Sequence, residues 1–144
     1  IVIGSGPGGQ RAALQGAKAG KKVAIIECYE VGGGCVHFGT LPSKSFRESI
    51  YRYSLGSRGV LAQDSDDSKR KTEAKPKFEV PEMARLLRRK DRVVEGETDV
   101  ISSQLKRNHV DLYRGRASFI TKNEIEITAG KNIKRIHGEI IIIA

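Results

Sequence analysis

Cysteine is scarce in this sequence, and that scarcity excludes two whole classes of protein. The two present, Cys28 and Cys35, cannot form a disulfide framework, so a reducing, cytoplasmic setting is expected. Cys28, His109 and His137 stand at no metal-ligand spacing from one another, so no metal is expected either. Long apolar runs are missing too. The longest, Ile140 to Ala144, is five residues, whereas a bilayer-crossing helix needs about 20. No secretory signal pattern is visible, and a membrane is not an expected partner. Aromatic residues make up only 6% of the chain, and none is interleaved with Lys69-Arg70-Lys71, Arg88-Arg89-Lys90, Arg92 or Lys106-Arg107. Those clusters carry much of the net charge of +9. Proteins that hold single strands stack bases on aromatics set among their cations. The basic clusters therefore read as a loop and a solvated helix face, and nucleic acid is not the expected partner. The excess charge is suited at most to mild steering of polyanionic ligands.

What is present has the length of one domain with a real core. Ile1-Val2-Ile3 is a short apolar strand followed at once by a glycine run. From Gln10 to Lys18, the residues Ala12, Ala13, Leu14 and Ala17 form a small-residue helical stripe that ends at Gly20. Val23-Ala24-Ile25-Ile26 is a continuous apolar run, as expected of a parallel strand buried on both faces. Residues 43–55 read as a helix with Phe46, Ile50, Tyr51 and Leu55 as its apolar positions, and 56–78 read as a mobile polar loop. Pro81 suits a first helical position, and the period of Met83, Leu86, Leu87, Val94, Ile101 and Leu105 predicts one long helix to about Arg107. A third strand follows at Val110–Tyr113.

Beyond Gly115 the period changes to two. Residues 117–120, 124–128 and 133–137 read as strands, with turns at Thr121-Lys122-Asn123 and at Ala129-Gly130-Lys131-Asn132. The fold class is therefore α/β: a doubly wound, Rossmann-like parallel sheet with an antiparallel β-meander crossover leading to a terminal strand at Ile140–Ile143. Both ends lie inside apolar strands, so residues 1–144 are expected to be the first part of a longer polypeptide.

The first chemical motif is Gly4-Ser5-Gly6-Pro7-Gly8-Gly9. It follows a strand, opens a helix, and is trailed by Glu27 at the end of the second strand, 18 residues past Gly9. Gly4 permits the tight turn, Gly6 lets a pyrophosphate approach the backbone, and Gly9 allows close helix–strand packing. The helix N-terminus offers unpaired N–H groups to phosphate. Glu27 can accept hydrogen bonds from a ribose diol, and its charge disfavours a 2′-phosphate.

The second motif is Val31-Gly32-Gly33-Gly34-Cys35-Val36-His37-Phe38-Gly39-Thr40-Leu41-Pro42-Ser43-Lys44, whose glycines let a loop pass close to a ligand. With the first loop and Glu27, this run resembles the flavoprotein pyridine nucleotide-disulfide reductase superfamily across essentially the whole chain. The resemblance implies FAD as cofactor, with NADP and NAD bound mainly by a second nucleotide domain that is not part of this chain. It implies that the cysteine at Cys35 faces substrate, that the position of Thr40 lies against the flavin, and that Lys44 sits near flavin N5. It also implies cofactor contacts from Gly33, Gly34, Gly39 and Ser43, and from Gly115 and Ala117 near the adenine.

Thr40 departs from the reductase pattern, where a second cysteine would stand. In this respect the run is similar to the Si-specific soluble pyridine nucleotide transhydrogenases, a branch without the redox disulfide. Phe38 replaces the tryptophan of many members, and the loop from Glu27 to Gly32 is one residue shorter than in some. The resemblance implies hydride exchange between NADPH and NAD+ by way of FAD, in a protein that is a homo-oligomer at full length and takes small-molecule dinucleotides. Cys35 is expected to be a small packing residue and His37 a local hydrogen-bonding one. Two alternatives remain: a disulfide reductase-like flavoprotein such as a dihydrolipoyl dehydrogenase relative, and a non-catalytic nucleotide- or nucleic-acid-binding module.

Overall fold

A computed structural model describes residues 1–57 and 83–144 of the chain. In chain order its elements are β1 (Val2–Ile3), α1 (Pro7–Lys18), β2 (Ala24–Glu27), α2 (Gly33–His37), α3 (Thr40–Ser57) and α4 (Met83–Arg107). They are followed by β3 (Asp111–Arg114), β4 (Arg116–Phe119), β5 (Glu124–Ala129), β6 (Asn132–His137) and β7 (Ile142–Ile143). Four strands form a parallel sheet in the order β3-β2-β1-β7, and β4-β5-β6 form a separate antiparallel sheet. The expected architecture is thus the one observed, with the meander crossing from β3 to β7.

Strand alternation explains why the central strands are apolar throughout, since successive side chains leave a strand on opposite faces. Ile25 packs with Val2, Ala13, Leu14, Ile101 and Leu105 on the helical face of the sheet. Its neighbour Ile26 packs with Ile125 and Ile127 on the meander face, joined there by Ile1, Ile3 and Tyr113. The parallel sheet is therefore sandwiched between helices and meander. Truncating Ile25, wholly buried at its centre, would remove packing worth about 2–5 kcal/mol.

Several boundaries differ from the sequence reading. Helix α1 begins at Pro7 rather than Gln10, because proline's missing N–H costs nothing in a first turn and Gly6 serves as N-cap. The glycine run contains a short helix, α2, that residue preferences disfavour. Burial of Val31 and Val36 against α1 and α4 residues holds it in place. Helix α3 starts at Thr40, ahead of the expected 43, and turns Ser49 inward. Ile50 and Tyr51, expected on its apolar face, are exposed. Ser49 satisfies its hydroxyl by donating to the Ser45 carbonyl at 2.8 Å, which lets a polar residue occupy the packed face.

On α4, Leu86, Ile101 and Leu105 are buried and Val94 packs against the core that holds Ile101 and Leu105, while Met83 and Leu87 are exposed. The terminal strand is shorter than expected, only Ile142–Ile143. The expected mobile loop 56–78 lies outside the described residues except for Gly56 and Ser57, which close α3. Pro81 also lies outside them.

Candidate functional site

The two glycine runs meet at the carboxyl ends of β1 and β2. Gly4 has φ +102°, a conformation that glycine adopts freely, and its N–H donates to the Ile26 carbonyl at 2.8 Å. A β-carbon on Gly9 would fall against the Gly4 carbonyl oxygen, so α1 and β1 approach as closely as the third glycine of the motif requires. A β-carbon on Gly6, by contrast, would meet nothing within 4 Å. Gly33, with φ +64°, stacks its backbone on that of Gly6, and a β-carbon there would lie 3.0 Å from the Gly6 α-carbon. Gly34 likewise faces open space. At Gly6 and Gly34 the two loops thus present bare backbone, with no side chain of the described residues against it.

Glu27 closes one side of this arrangement and is 6% exposed. Its Oε2 accepts hydrogen bonds from the Ser5 N–H at 2.9 Å and the Ser5 hydroxyl at 2.6 Å, and its Oε1 accepts from the Tyr29 N–H at 2.9 Å. Burial alone would raise its carboxyl group. The Ser5 hydroxyl and the Tyr29, Ser5 and Cys28 backbone N–H groups outweigh that and hold it below the ordinary value of 4.5. A depressed carboxylate stabilises the fold fully above about pH 4.5, and the contribution is lost as pH falls through the folded value. Glu27→Gln is accordingly expected to cost roughly 1–3 kcal/mol at pH 7. It should flatten the acid limb of the stability curve, as measured by denaturant unfolding at pH 7 and pH 4.

The second run continues into α2 and α3. Cys35 is exposed, which corrects its expected role as a packing residue. The packing position is the next residue, Val36, because one residue step turns the side chain by about 100° around a helix. His37 fills the local role expected of it, with Nε2 2.9 Å from the Val31 carbonyl oxygen. Gly39 sits tightly against the Gly34 carbonyl, where a β-carbon would lie at 3.2 Å. Thr40, Ser43 and Lys44 are all exposed at the start of α3, with Thr40 and Lys44 one turn apart on the same face. The Ser43 hydroxyl donates to the Thr40 carbonyl at 3.1 Å. Lys44 makes no ion pair among the described residues. Pro7 and Gly8 lie in the first turn of α1.

Gly115, with φ +152°, donates its N–H to the Glu27 carbonyl at 2.8 Å, which brings the β3–β4 junction beside β2. Ala117 packs its side chain into the meander-face core, leaving only its backbone for a ligand. A cavity of about 690 Å³ lies elsewhere, at the amino ends of the strands, between Lys21, Ala24, Asp111 and Ile140. It has no part in the glycine-loop site. Among the described residues there is no His, Cys, Asp or Glu cluster able to hold a metal, and no helix is long and apolar enough to cross a membrane.

Sequence reasoning named Ser5 but missed how it acts. Its hydroxyl is buried, donates to Glu27 and accepts from the Gly32 N–H at 3.1 Å. Its partners lie 22 and 27 residues away, and nothing in a local pattern connects them.

A parallel sheet with glycine loops at its carboxyl ends, a helix N-terminus opening beside them and an acidic residue ending β2 defines a Rossmann-like dinucleotide-binding unit. The chain belongs to the pyridine nucleotide-disulphide oxidoreductase family, whose model matches residues 1–144. A soluble pyridine nucleotide transhydrogenase from Hahella chejuensis is 39% identical over 146 residues, taking in all of this chain and 29% of that protein. One from Mycobacterium tuberculosis is 40% identical over 148 residues, again over all of this chain and 30% of its own length. The chain therefore spans about three-tenths of the relatives it matches. Among solved structures, LpdA from Mycobacterium tuberculosis superposes with a TM-score of 0.81 at 23% identity, covering 99% of this chain and 30% of that one. The HOCl-induced flavoprotein disulfide reductase RclA from Escherichia coli gives 0.74 at 25% identity, covering 99% and 27%. These likenesses agree with the fold described above.

Proposed function

We propose that residues 1–144 are the FAD-holding first portion of a soluble, Si-specific NAD(P)+ transhydrogenase, whose second nucleotide domain and dimerisation domain lie in the rest of a full-length homo-oligomeric protein. The observation that carries this reading is Thr40. The chain has two cysteines, and a hydroxyl stands where a flavin-facing sulfur would be needed. A hydroxyl cannot cycle between thiol and disulfide, so electrons enter and leave through nicotinamide alone. The similarity to transhydrogenases over the whole chain points the same way.

The residues present fit FAD. The open space at Gly6 and the first turn of α1, Pro7 to Gly9, suit the pyrophosphate, since N–H groups and the helix dipole favour negative charge there. Glu27 suits the adenosine ribose, and the Gly115–Ala117 backbone suits the adenine. Gly33, Gly34 and the exposed face made by Cys35, Gly39, Thr40, Ser43 and Lys44 suit the flavin end. Bound there, FAD supplies a two-electron hydride acceptor and donor between NADPH and NAD+. The part of this chain is to orient the ring, to keep side chains out of its path, and to set a cation, Lys44, beside it.

The full-length protein is expected to purify yellow and to reduce NAD+ at the expense of NADPH, without any dithiol substrate. The separated 1–144 chain is expected to hold FAD at least tenfold more weakly, because in the proposed function the rest of the cleft lies outside it, and β7 is an edge strand of the sheet among the described residues. Colourless full-length protein, or a soluble 1–144 chain with tightly bound flavin, would contradict the proposal. The exposed thiol of Cys35 favours one second reading, a disulfide reductase-like flavoprotein. That chemistry would require a second sulfur from outside this chain and activity with a disulfide substrate.

A further inference from the structure

We propose that Ser5 is a positioning residue of the cofactor site, its buried hydroxyl locking the Glu27 carboxylate and the Gly32 turn into one register so that both ends of the FAD cleft are set together. The proposal rests on the FAD reading above and assigns Ser5 a task other than touching the ligand. Ser5 is wholly buried, and each of its polar groups is spoken for. Its N–H and O–H both donate to Glu27 Oε2, its hydroxyl oxygen accepts from Gly32, and its carbonyl accepts from Gln10 Nε2 at 2.7 Å. Three segments far apart in sequence therefore converge on one side chain: the first glycine loop, the end of β2, and the turn that launches α2 and α3.

The geometry separates this role from simple filling of space. Gly32 has φ +108°, and a β-carbon there would collide with Val36 and press on Ile101, so the turn passes close against both side chains. Its N–H finds its partner in the Ser5 hydroxyl. Gly33 then stacks on Gly6, and Cys35, Thr40 and Lys44 follow from that point. Without the hydroxyl, a buried N–H and a buried carboxylate each lose a partner at the same place, and both loops can drift. Among the described residues, the other charged and titratable groups around Glu27 offer no substitute. Arg114 is its register partner on β3, but its guanidinium is paired with Glu30 at 3.4 Å. Cys28 and Tyr29 reach Glu27 through backbone N–H groups, and α1 contributes the uncharged Gln10.

The test is FAD retention by the full-length protein as a function of pH, read by ultrafiltration with circular dichroism as the check on folding. Ser5→Ala is expected to raise the FAD Kd about tenfold at pH 7. It should also move the acidic midpoint of release upward by about one pH unit, because Glu27 loses the donor that favours its charged form. Ser5→Thr, which keeps the hydroxyl, should restore the wild-type midpoint. Glu27→Gln should remove the acidic transition, and adding Ser5→Ala to it should cost less than the two changes summed, since they share one contact and only the Gly32 N–H is further orphaned. If Ser5→Ala does not accumulate as folded protein, Ser5→Cys, with its weak S–H donor, should show a smaller shift of the same sign. Weaker FAD binding with an unmoved midpoint in the folded variant overturns the positioning role alone. Wild-type protein that purifies without FAD overturns the proposed function and this role with it.

Discussion

Replacing Gly6 with valine in the full-length protein is expected to strip it of flavin, to less than about a tenth of the wild-type content, while the fold survives. Both halves of that outcome follow from where a side chain would go. A β-carbon on Gly6 meets no atom of the described residues within 4 Å beyond its chain neighbours, so the fold is expected to tolerate it. The same space is where the backbone and the start of α1 would receive a pyrophosphate, and an isopropyl group there excludes it. Gly9 provides the opposite case three residues away. Its β-carbon would collide with the Gly4 carbonyl, so Gly9→Ala should destabilise the fold itself by about 3 kcal/mol or more, with flavin lost only as a consequence. Flavin-to-protein absorbance ratios, with circular dichroism and thermal melts, separate the two. Full flavin content in folded Gly6→Val would remove the glycine loop from the cofactor site.

That contrast shows how unevenly the sequence displays the structure. The β1–loop–α1–β2 unit was legible because both periodicity and glycine spacing are local signals. Ile25 and Ile26 read as one apolar run for the reason the fold confirms: they serve opposite faces of the sheet. The meander was legible because its period of two persists through three strands and its turns carry glycine or asparagine. Helix α2 was not legible, since the glycines that open it argue against a helix, and contacts distant in sequence, among them the packing of Val31 and Val36, hold it together. The same unseen helix explains the misreading of Cys35, because a one-residue turn decides which side chain is buried. The inward turn of Ser49 on α3 is likewise set by contacts between helices, which no window along the chain contains.

The site divides in the same way. The presence of Glu27 at the end of β2 followed from spacing, but its inward-turned oxygens and depressed pKa depend on Ser5, Tyr29 and Cys28. Meaning could be assigned to Thr40 only by comparison with a pattern that has a cysteine there. What the fold adds is exposure: Cys35, Thr40 and Lys44 all stand at the surface beside the glycine loops rather than in the core.

The second large effect separates hydride chemistry from thiol chemistry. A disulfide relay needs two sulfurs whose α-carbons lie within roughly 7 Å, and in the proposed function Thr40 stands where the partner of Cys35 would be. Cys35→Ala should therefore keep most of the NADPH-to-NAD+ rate, whereas in a disulfide reductase the same change would abolish turnover. Lys44→Ala should act instead on the flavin, slowing its reduction about tenfold, because a nearby cation favours the electron-rich reduced form. The measurement that reaches the centre of this account is stopped-flow bleaching of flavin absorbance by NADPH, followed by its return with NAD+, in the Cys35→Ala full-length protein. Bleaching and recovery at near wild-type rates are the predicted result; loss of either step at normal flavin content would contradict it and return the site to thiol chemistry.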